Sequence, residues 1–228
     1  MIASWPCPLP GGGHADELVL QTGANDAEMR LMLVAPLFDE HNKLRRHMAQ
    51  VMRRLSEAGI MCVLPDLPGL NESTQPLEDQ SLAHWRSALA AASAHFNVTH
   101  VLSFRSGAIL IGNDAKGWTY APQDGAKLLR GMIRARAIAS KEAGVAETSQ
   151  ELNDLGRSEG ITLAGWPIGS ELFCDLETAT PARSDTLVSI EQALIGGQGL
   201  WLRAEPGEDH AQADAMATAI IEELGKPE

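Results

Sequence analysis

Cysteine is scarce in this sequence. Its three residues, Cys7, Cys62 and Cys174, are odd in number and far apart, which excludes a disulfide framework and a paired-cysteine metal site. We therefore expect three buried thiols. The histidines also lack the spacing of metal ligands, so neither a metal nor another cofactor is expected.

Long apolar runs are missing as well. A membrane-spanning helix needs a run of about 18 or more apolar residues, and the sequence has none. Its start, "MIASWPCPLPGGG", lacks the basic and apolar segments of a secretion signal. We expect no insertion into a membrane and a cytoplasmic location.

Positive charge is in deficit. The chain has 18 Lys and Arg against 30 Asp and Glu, which gives a formal net charge of −12. Such a charge repels polyanions at long range and argues against general nucleic-acid binding. A local basic patch can still bind a small anion.

What the sequence does contain is an alternation of apolar strands and amphipathic helices. Its 228 residues, 44% of them hydrophobic, suit one domain over residues 1–228. "ELVLQTG" indicates an edge strand, and "RLMLVAP", "IMCVLPDL", "THVLSF" and "GWTYAP" indicate buried strands. Helices are predicted over 42–59, 78–96 and 106–115. The fold class is therefore α/β, with a mostly parallel sheet flanked by helices and right-handed crossovers.

This alternation ends after residue 122. "DGAKLLRGMIRARAIASKEAG" predicts a basic amphipathic helix, and a second helix follows with its N-cap at Thr148 or Ser149. We interpret residues 124–156 as a helical insertion or lid. "TLVSIEQALI" then alternates like a last strand, and "HAQADAMATAIIEELG" predicts a final helix.

The segment "VLSFRSGAIL" predicts a strand that turns sharply into a helix, the geometry of a nucleophile elbow. Such an elbow needs small residues two positions before and two positions after its centre. With Arg105 at the centre these are Ser103 and Gly107. With Ser106 at the centre, the flanking residues are Phe104 and Ala108, and phenylalanine is not small. The pattern therefore centres the elbow on Arg105.

Three roles for the elbow stay open. Arg105 cannot be a nucleophile, because its guanidinium stays protonated, but at a helix N-terminus it can bind a carboxylate or phosphate. It can equally be a structural residue that pairs with an acid. In the third role, Ser106 or Ser103 is catalytic. The acids considered as partners of Arg105 are Asp39, Glu40 and Asp66.

An active elbow also needs oxyanion donors and a histidine. The donors would be the N–H of Leu37 or Phe38 and the N–H of Ser106. If residues 186–195 are the last strand, the following loop has no histidine. If "GLWLRAE" is the last strand, His210 follows it; alternatively, His210 lies exposed in the first turn of the final helix.

Longer motifs spread over residues 30–205 follow the pattern of a known family. They are "PLFDEHNKLRR", "VLPDLPGLNES", "SFRSGAIL", "WTYAPQDGAKLLRGMIRAR", "ITLAGWPIGSEL" and "GGQGLWLRAEP". In these motifs the chain resembles the exosortase A system-associated hydrolases of the α/β-hydrolase superfamily, most closely the type 2 group. The resemblance implies that arginine at the elbow is a trait of the group.

The resemblance also implies an α/β-hydrolase fold and a setting of exopolysaccharide production and protein sorting. The chain departs from the family pattern at Ser103 and Asn71, which replace glycines. Residues 176–186 form a shorter segment than in the family, which predicts that a strand and a helix near the C-terminus are missing. The residues expected at the rim of a pocket are Glu40, Asn42, Lys43, Asp66 and Trp201.

Three functions follow from these features. The first is a hydrolase of an ester or thioester linkage with a degenerate catalytic triad. The second is a non-catalytic protein in which Arg105 holds a carboxylate- or phosphate-bearing ligand beneath the lid. The third is a scaffold whose basic lid helix docks an acidic partner through Lys127, Arg130, Arg134 and Arg136. The small-molecule partner expected is an acyl or anionic ligand, and a homo-oligomer is left open.

Overall fold

The buried strands predicted from the sequence lie side by side in one sheet. The computed structural model describes residues 1–225. Its main sheet has seven strands in the order β1-β2-β4-β3-β5-β6-β9, parallel from β4 to β9 and antiparallel at β1 and β2. The strands are β1 (Ile2–Pro8), β2 (His14–Thr22), β3 (Arg30–Val34), β4 (Met61–Pro65), β5 (His100–Phe104), β6 (Gly117–Tyr120) and β9 (Leu187–Ile190).

Within residues 1–225, seven α-helices and a hairpin complete the fold. The helices are α1 (Asp39–Glu57), α2 (Leu82–His95), α3 (Gly125–Glu142), α4 (Ser149–Ser158), α5 (Ser170–Thr178), α6 (Gln192–Ile195) and α7 (His210–Leu224). The hairpin consists of β7 (Ile161–Leu163) and β8 (Trp166–Ile168). Short 3-10 helices cover Leu77–Asp79, Arg105–Ile109 and Leu200–Leu202.

Helices cover both faces of the sheet, which explains why its inner strands are apolar throughout. In β3, Leu31 and Leu33 face the core shared with α1 and α7. Met32 and Val34 face the opposite core, which contains residues of α2, α3 and α5. Because successive side chains of a strand point to opposite faces, α1 and α3 lie on opposite sides of the sheet.

The helix predicted over 106–115 is wrong. Arg105–Ile109 is a 3-10 helix, and the chain then turns at residues 112–114 before it enters β6. The crossover must return along the length of β5 within residues 105–116. A 3-10 helix rises about 2.0 Å per residue against about 1.5 Å for an α-helix, so it spans the distance with fewer residues.

The predicted edge strand is not at the edge. β2, which contains all of "ELVLQTG" except its final glycine, pairs with β4 on one side and with β1 on the other. The first strand, β1, was not predicted; it carries Pro6 and Pro8. Proline is tolerated in an edge strand, because one side of that strand has no hydrogen-bonding partner.

The predicted lid segment lies between β6 and β9. It contains α3 and most of α4, and the hairpin and α5 extend the same layer beyond residue 156. Thr148 is the N-cap of α4, and with Glu151 it forms a reciprocal capping box. The helices are as predicted, whereas their action as a lid stays a prediction.

The C-terminal part also departs from expectation in detail. "GLWLRAE" contains a 3-10 helix rather than a strand, and β9 has no further strand on its outer side within residues 1–225. Cys174 is exposed, contrary to the expectation of three buried thiols, because it lies on the outward face of α5. Over the described residues, no helix combines the length and apolar character needed to cross a membrane.

Candidate functional site

The turn after β5 has the backbone of a nucleophile elbow, and its centre is Arg105. This residue has a φ of 51°, a left-handed conformation that is costly for a residue with a side chain. Two positions later, a Cβ on Gly107 would lie 2.5 Å from the carbonyl oxygen of Ala35 and 2.6 Å from that of Val34. The small residue at 107 therefore lets the turn pack directly against the end of β3.

The guanidinium of Arg105 is held from several sides. Its Nε and Nη2 donate to the two carboxylate oxygens of Glu40, at 3.1 and 3.3 Å. Nη1 donates to the carbonyl oxygen of Ala121 at 2.9 Å, and Nη2 also donates to Oε1 of Gln123. The ring of Trp201 stacks on the cation, with 4.2 Å from Cζ to the ring centroid.

These contacts identify Glu40 as the acid that pairs with Arg105. Of the other acids considered, Asp39 forms an ion pair with Lys43 at 2.9 Å, and Asp66 accepts a hydrogen bond from Asn71 at 2.9 Å. The Arg105 side chain is only 10% exposed, and four hydrogen bonds engage its fork. The guanidinium therefore has little capacity left to hold an anion directly.

The two serines near the elbow are both fully buried. The hydroxyl oxygen of Ser106 accepts the backbone N–H of Leu37 at 2.9 Å, so this expected oxyanion donor is already engaged. Ser103 lies on β5, and its hydroxyl has no partner among residues 1–225. Within those same residues, no histidine nitrogen is hydrogen-bonded to either hydroxyl.

His210 is not brought to the elbow. It begins α7 directly after its N-cap, Asp209, and its ring lies 3.4 Å from Arg54 and 3.7 Å from Glu208. Arg54 is 15 residues beyond the start of α1, which corresponds to about 22 Å along the helix from the elbow end. The ring is exposed on the surface, as the alternative interpretation of the sequence had it.

The remaining rim candidates are not gathered around Arg105. Lys43 is tied to Asp39, and Asn42 is exposed on α1. Asp66 is buried after β4, and burial raises its pKa. Of the predicted rim set, only Glu40 and Trp201 touch Arg105.

A buried histidine that was not predicted as a site residue lies beside Asn71. His41, on the first turn of α1, has its Nδ1 3.1 Å from the amide nitrogen of Asn71, which also donates to Asp66. Burial, with a smaller contribution from the charge of Arg45, lowers the pKa of His41 to about 4. This imidazole is therefore neutral near pH 7.

An open cleft begins beside the elbow, at the end of β6. Its volume is about 460 Å³, and it lies between the start of α3 and the loop that leads into β9. This volume is in the range of small-molecule sites, about 300–1,000 Å³. Gln123, Lys127 and Arg183 line the cleft together with Pro122, Pro181 and Leu187.

The cleft has unpaired donors. Lys127 and Arg183 are exposed, and neither side-chain cation has a hydrogen bond or ion pair to another residue within 1–225. Gln123 is 7% exposed, and its carbonyl oxygen must face Arg105, because arginine can only donate. Its amide nitrogen is therefore turned away from Arg105, with two N–H groups free of any partner in the described chain.

Gln123 and Arg183 were missed in the sequence. Gln123 had a usable signal, because it follows a buried strand and ligands of α/β sheets bind at the carboxyl ends of the strands. Arg183 had none, since it lies in an irregular loop far along the chain from Gln123. Only the packing of that loop against the start of α3 brings the two together.

The chain is similar to solved structures that have the α/β-hydrolase fold. Est1E from Butyrivibrio proteoclasticus matches with a TM-score of 0.56 at 14% identity, over 98% of this chain and 99% of that chain. Est1E with ferulic acid bound gives a TM-score of 0.53 at 14% identity, over 91% and 94%. This chain therefore has an α/β-hydrolase fold.

Other likenesses are more partial. Tetrameric haloalkane dehalogenase DpaA from Paraglaciecola agarilytica NO2 has a TM-score of 0.44 and 17% identity over 66% of this chain, which spans 57% of the dehalogenase. No family model matches the sequence, and no curated protein matches it. The resemblance to the exosortase-associated group therefore stays a prediction.

Proposed function

We propose that this protein is a non-catalytic member of the α/β-hydrolase fold that binds a small carboxylate- or phosphate-bearing ligand in the cleft beside the elbow. One observation carries the proposal. The residue at the nucleophile position, Arg105, is fixed by Glu40, Gln123 and Trp201, while the adjacent hydroxyl of Ser106 is fully buried. In this proposal, Arg105 has a structural role in the elbow, and the ligand binds in the cleft.

The geometry opposes hydrolysis of an ester or thioester at the elbow. An acyl-transfer serine needs a base within about 2.6–3.2 Å and access to the substrate carbonyl. Ser106 is 0% exposed, and its oxygen already accepts the N–H of Leu37. We therefore regard the triad as degenerate, because neither nucleophile nor base is available.

The chemistry of the cleft favours an anion with an apolar body. Lys127 and Arg183 supply two positive charges against one carboxylate in the lining, Asp124, which accepts the backbone N–H of Lys127 as the N-cap of α3. The free N–H groups of Gln123 supply directed donors. Pro122, Pro181 and Leu187 provide apolar walls. A small aromatic or acyl carboxylic acid, or a phosphate monoester, satisfies both requirements.

Arg105 has an indirect part in this proposal. The sequence predicted that Arg105 holds the ligand directly. In this proposal Arg105 does not contact the ligand and instead orients Gln123 by binding its amide oxygen. The backbone N–H of Gln123 also donates to the carbonyl of Arg105 at 3.2 Å. Arg105 is thus a positioning residue for the donor that faces the cleft.

Ligand-induced thermal stabilisation tests the proposal. The probes are ferulic acid and phenyl phosphate, with ferulic acid methyl ester as the uncharged control. Ferulic acid is chosen because it is bound in a solved structure of Est1E. At tenfold above its dissociation constant, a ligand stabilises the fold by about 1.4 kcal/mol, which raises Tm by about 3–5 °C.

Matched variants define where binding occurs. Lys127→Ala and Arg183→Ala should each abolish most of the shift. Arg53→Ala, which removes an exposed cation of α1 on the opposite face of the sheet, should leave it unchanged. Equal stabilisation by the methyl ester, or equal shifts in all three variants, would contradict the anion site.

Hydrolysis is tested separately with a fluorophosphonate probe, intact-mass spectrometry and peptide mapping. We expect no adduct on Ser106 or Ser103 under conditions that fully label an active serine hydrolase. An adduct on either serine would mean that the elbow activates a hydroxyl, and the hydrolase interpretation would replace ours.

A further inference from the structure

The outer surface of α3 carries a row of cations that the cleft does not use. Lys127, Arg130, Arg134 and Lys141 are all exposed, and their spacing of three, four and seven residues puts them on one side of the helix. We call these four residues, with the exposed Ile138 between them, the cationic stripe. It is about 21 Å long, since each residue of an α-helix adds about 1.5 Å.

The cations of the stripe are unpaired. No carboxylate within residues 1–225 lies in ion-pair distance of any of the four, whereas Arg136 on another side of α3 is paired with Glu147. Like charges three and four positions apart on a helix repel each other. A row of unpaired cations is therefore unusual in a chain of net charge −12. An acidic surface bound to the stripe would offset the repulsion among its charges.

The stripe also contains an apolar anchor. Ile138 is 50% exposed, and Val145, just beyond the end of α3, is 61% exposed. Nucleic acid would use the cations and leave the isoleucine unburied. A membrane surface requires a wide apolar face, and on α3 that face is already buried through Leu128, Leu129 and Ile133.

We infer that the cationic stripe docks a partner protein through a face on which several carboxylates surround an apolar residue. Charge complementarity provides the attraction, and Ile138 provides contact area at the centre. Lys127 belongs both to the stripe and to the cleft, so a partner bound here lies next to the cleft opening. The inference does not depend on ligand binding in the cleft.

A labelled acidic peptide is the probe for this surface. It is a fluorescein peptide of ten glutamates with two central leucines, and the control peptide has glutamine in place of glutamate. Fluorescence anisotropy at 50 mM salt should show binding of the acidic peptide only. At 300 mM salt, where the screening length falls well below about 10 Å, binding should weaken at least tenfold.

Charge reversal locates the binding. Arg130→Glu with Arg134→Glu should weaken peptide binding at least tenfold and leave Lys127, and hence the cleft, intact. The matched control, Arg45→Glu with Arg53→Glu on α1, also reverses two exposed cations that have no ion pair within residues 1–225. It makes the same change in net charge and should stay within twofold of the unmodified protein. Ile138→Ser should weaken binding about threefold at unchanged charge. Arg130→Gln with Arg134→Gln repeats the test should the reversed variant fail to fold.

Several results would overturn the inference. One is equal loss of binding in the α1 control; another is equal binding of the glutamine peptide. Tighter binding of single-stranded DNA, or of phosphatidylserine vesicles, would assign the stripe to a polyanion or a lipid surface. A drop in solution mass caused by the Arg130 and Arg134 reversal alone would assign it to a second copy of this chain.

Discussion

Two neighbouring arginine-containing regions, the elbow and the cleft, are built in opposite ways. At the elbow, Arg105 is buried and hydrogen-bonded to Glu40, Ala121 and Gln123 under the ring of Trp201. In the cleft, Arg183 is exposed, and its guanidinium has no partner in the described chain. Only Gln123 takes part in both regions.

The difference indicates what each region is for. A buried cation is tolerated only when it is paired and hydrogen-bonded, and removing its partners is costly, so Arg105 belongs to the structure. An exposed, unpaired cation contributes little to folding and remains available to a ligand. Changes at the elbow should therefore affect stability, and changes in the cleft should affect binding.

The largest effect is expected at the centre of the elbow. Arg105→Met leaves Glu40 and Gln123 without their partner and should lower the free energy of unfolding by about 3–5 kcal/mol, measured by urea denaturation. Arg105→Lys keeps the charge but loses the forked set of donors, so its free energy of unfolding should lie between those of the unmodified protein and Arg105→Met. A loss below about 1 kcal/mol in Arg105→Met would remove the distinction between elbow and cleft.

A double variant separates a lost pair from an uncompensated charge. If the penalty comes from leaving Glu40 unpaired, Arg105→Met with Glu40→Leu should be more stable than Arg105→Met alone. Additive losses would instead indicate that each side chain stabilises the fold independently.

The next effect concerns the close approach of the elbow to β3. In Gly107→Ala, the added Cβ would meet two backbone carbonyl oxygens at 2.5 and 2.6 Å. Because backbone cannot yield as a flexible side chain can, we expect a loss of about 3 kcal/mol. An unchanged denaturation midpoint would show that the turn can move away from the end of β3 at no cost in stability.

A smaller effect, dependent on pH, is expected behind the elbow. His47 on α1 is fully buried against Phe104 and Tyr120, and neither ring nitrogen has a partner among the described residues. His47→Leu has similar volume and should stabilise the fold by about 1–3 kcal/mol at pH 7.

The sign of the pH dependence follows from the pKa of His47, which burial lowers from 6.5 to about 4. Between these values the unfolded chain binds a proton that the folded chain does not, so the fold loses stability as the pH falls. The advantage of His47→Leu should therefore grow by up to about 1.4 kcal/mol per pH unit below 6.5. The raised pKa values of Glu17 and Asp66 act in the opposite direction, but they are common to both proteins. A pH-independent difference would contradict a neutral, buried His47.

The smallest effect is expected on the open side. Gly131 lies on α3, and a Cβ there would meet nothing within 4 Å. Gly131→Ala should raise the free energy of unfolding by about 0.5–1 kcal/mol, because alanine loses less backbone entropy in a helix. A loss of stability would mean that this face of α3 is covered.

The sequence was informative where local pattern and burial agree. The apolar runs around Leu33, Val63 and Leu102 predicted the parallel sheet, and the small residues around Arg105 predicted where the elbow turns. A helix was predicted for "SGAILIGNDA" after the elbow, yet the short crossover to β6 imposed a 3-10 helix. The local sequence carries no information about the distance that the chain must return.

What the sequence determined by itself is the α/β class and the elbow with Arg105 at its centre, because these depend on residue types at fixed short spacings. Which acid pairs with Arg105 depended on tertiary structure, since Asp39, Glu40 and Asp66 all follow strands that end near the elbow. The cleft was decided in the same way. Gln123 and Arg183 are 60 residues apart in the chain, and they share one surface because the loop before β9 packs against the start of α3.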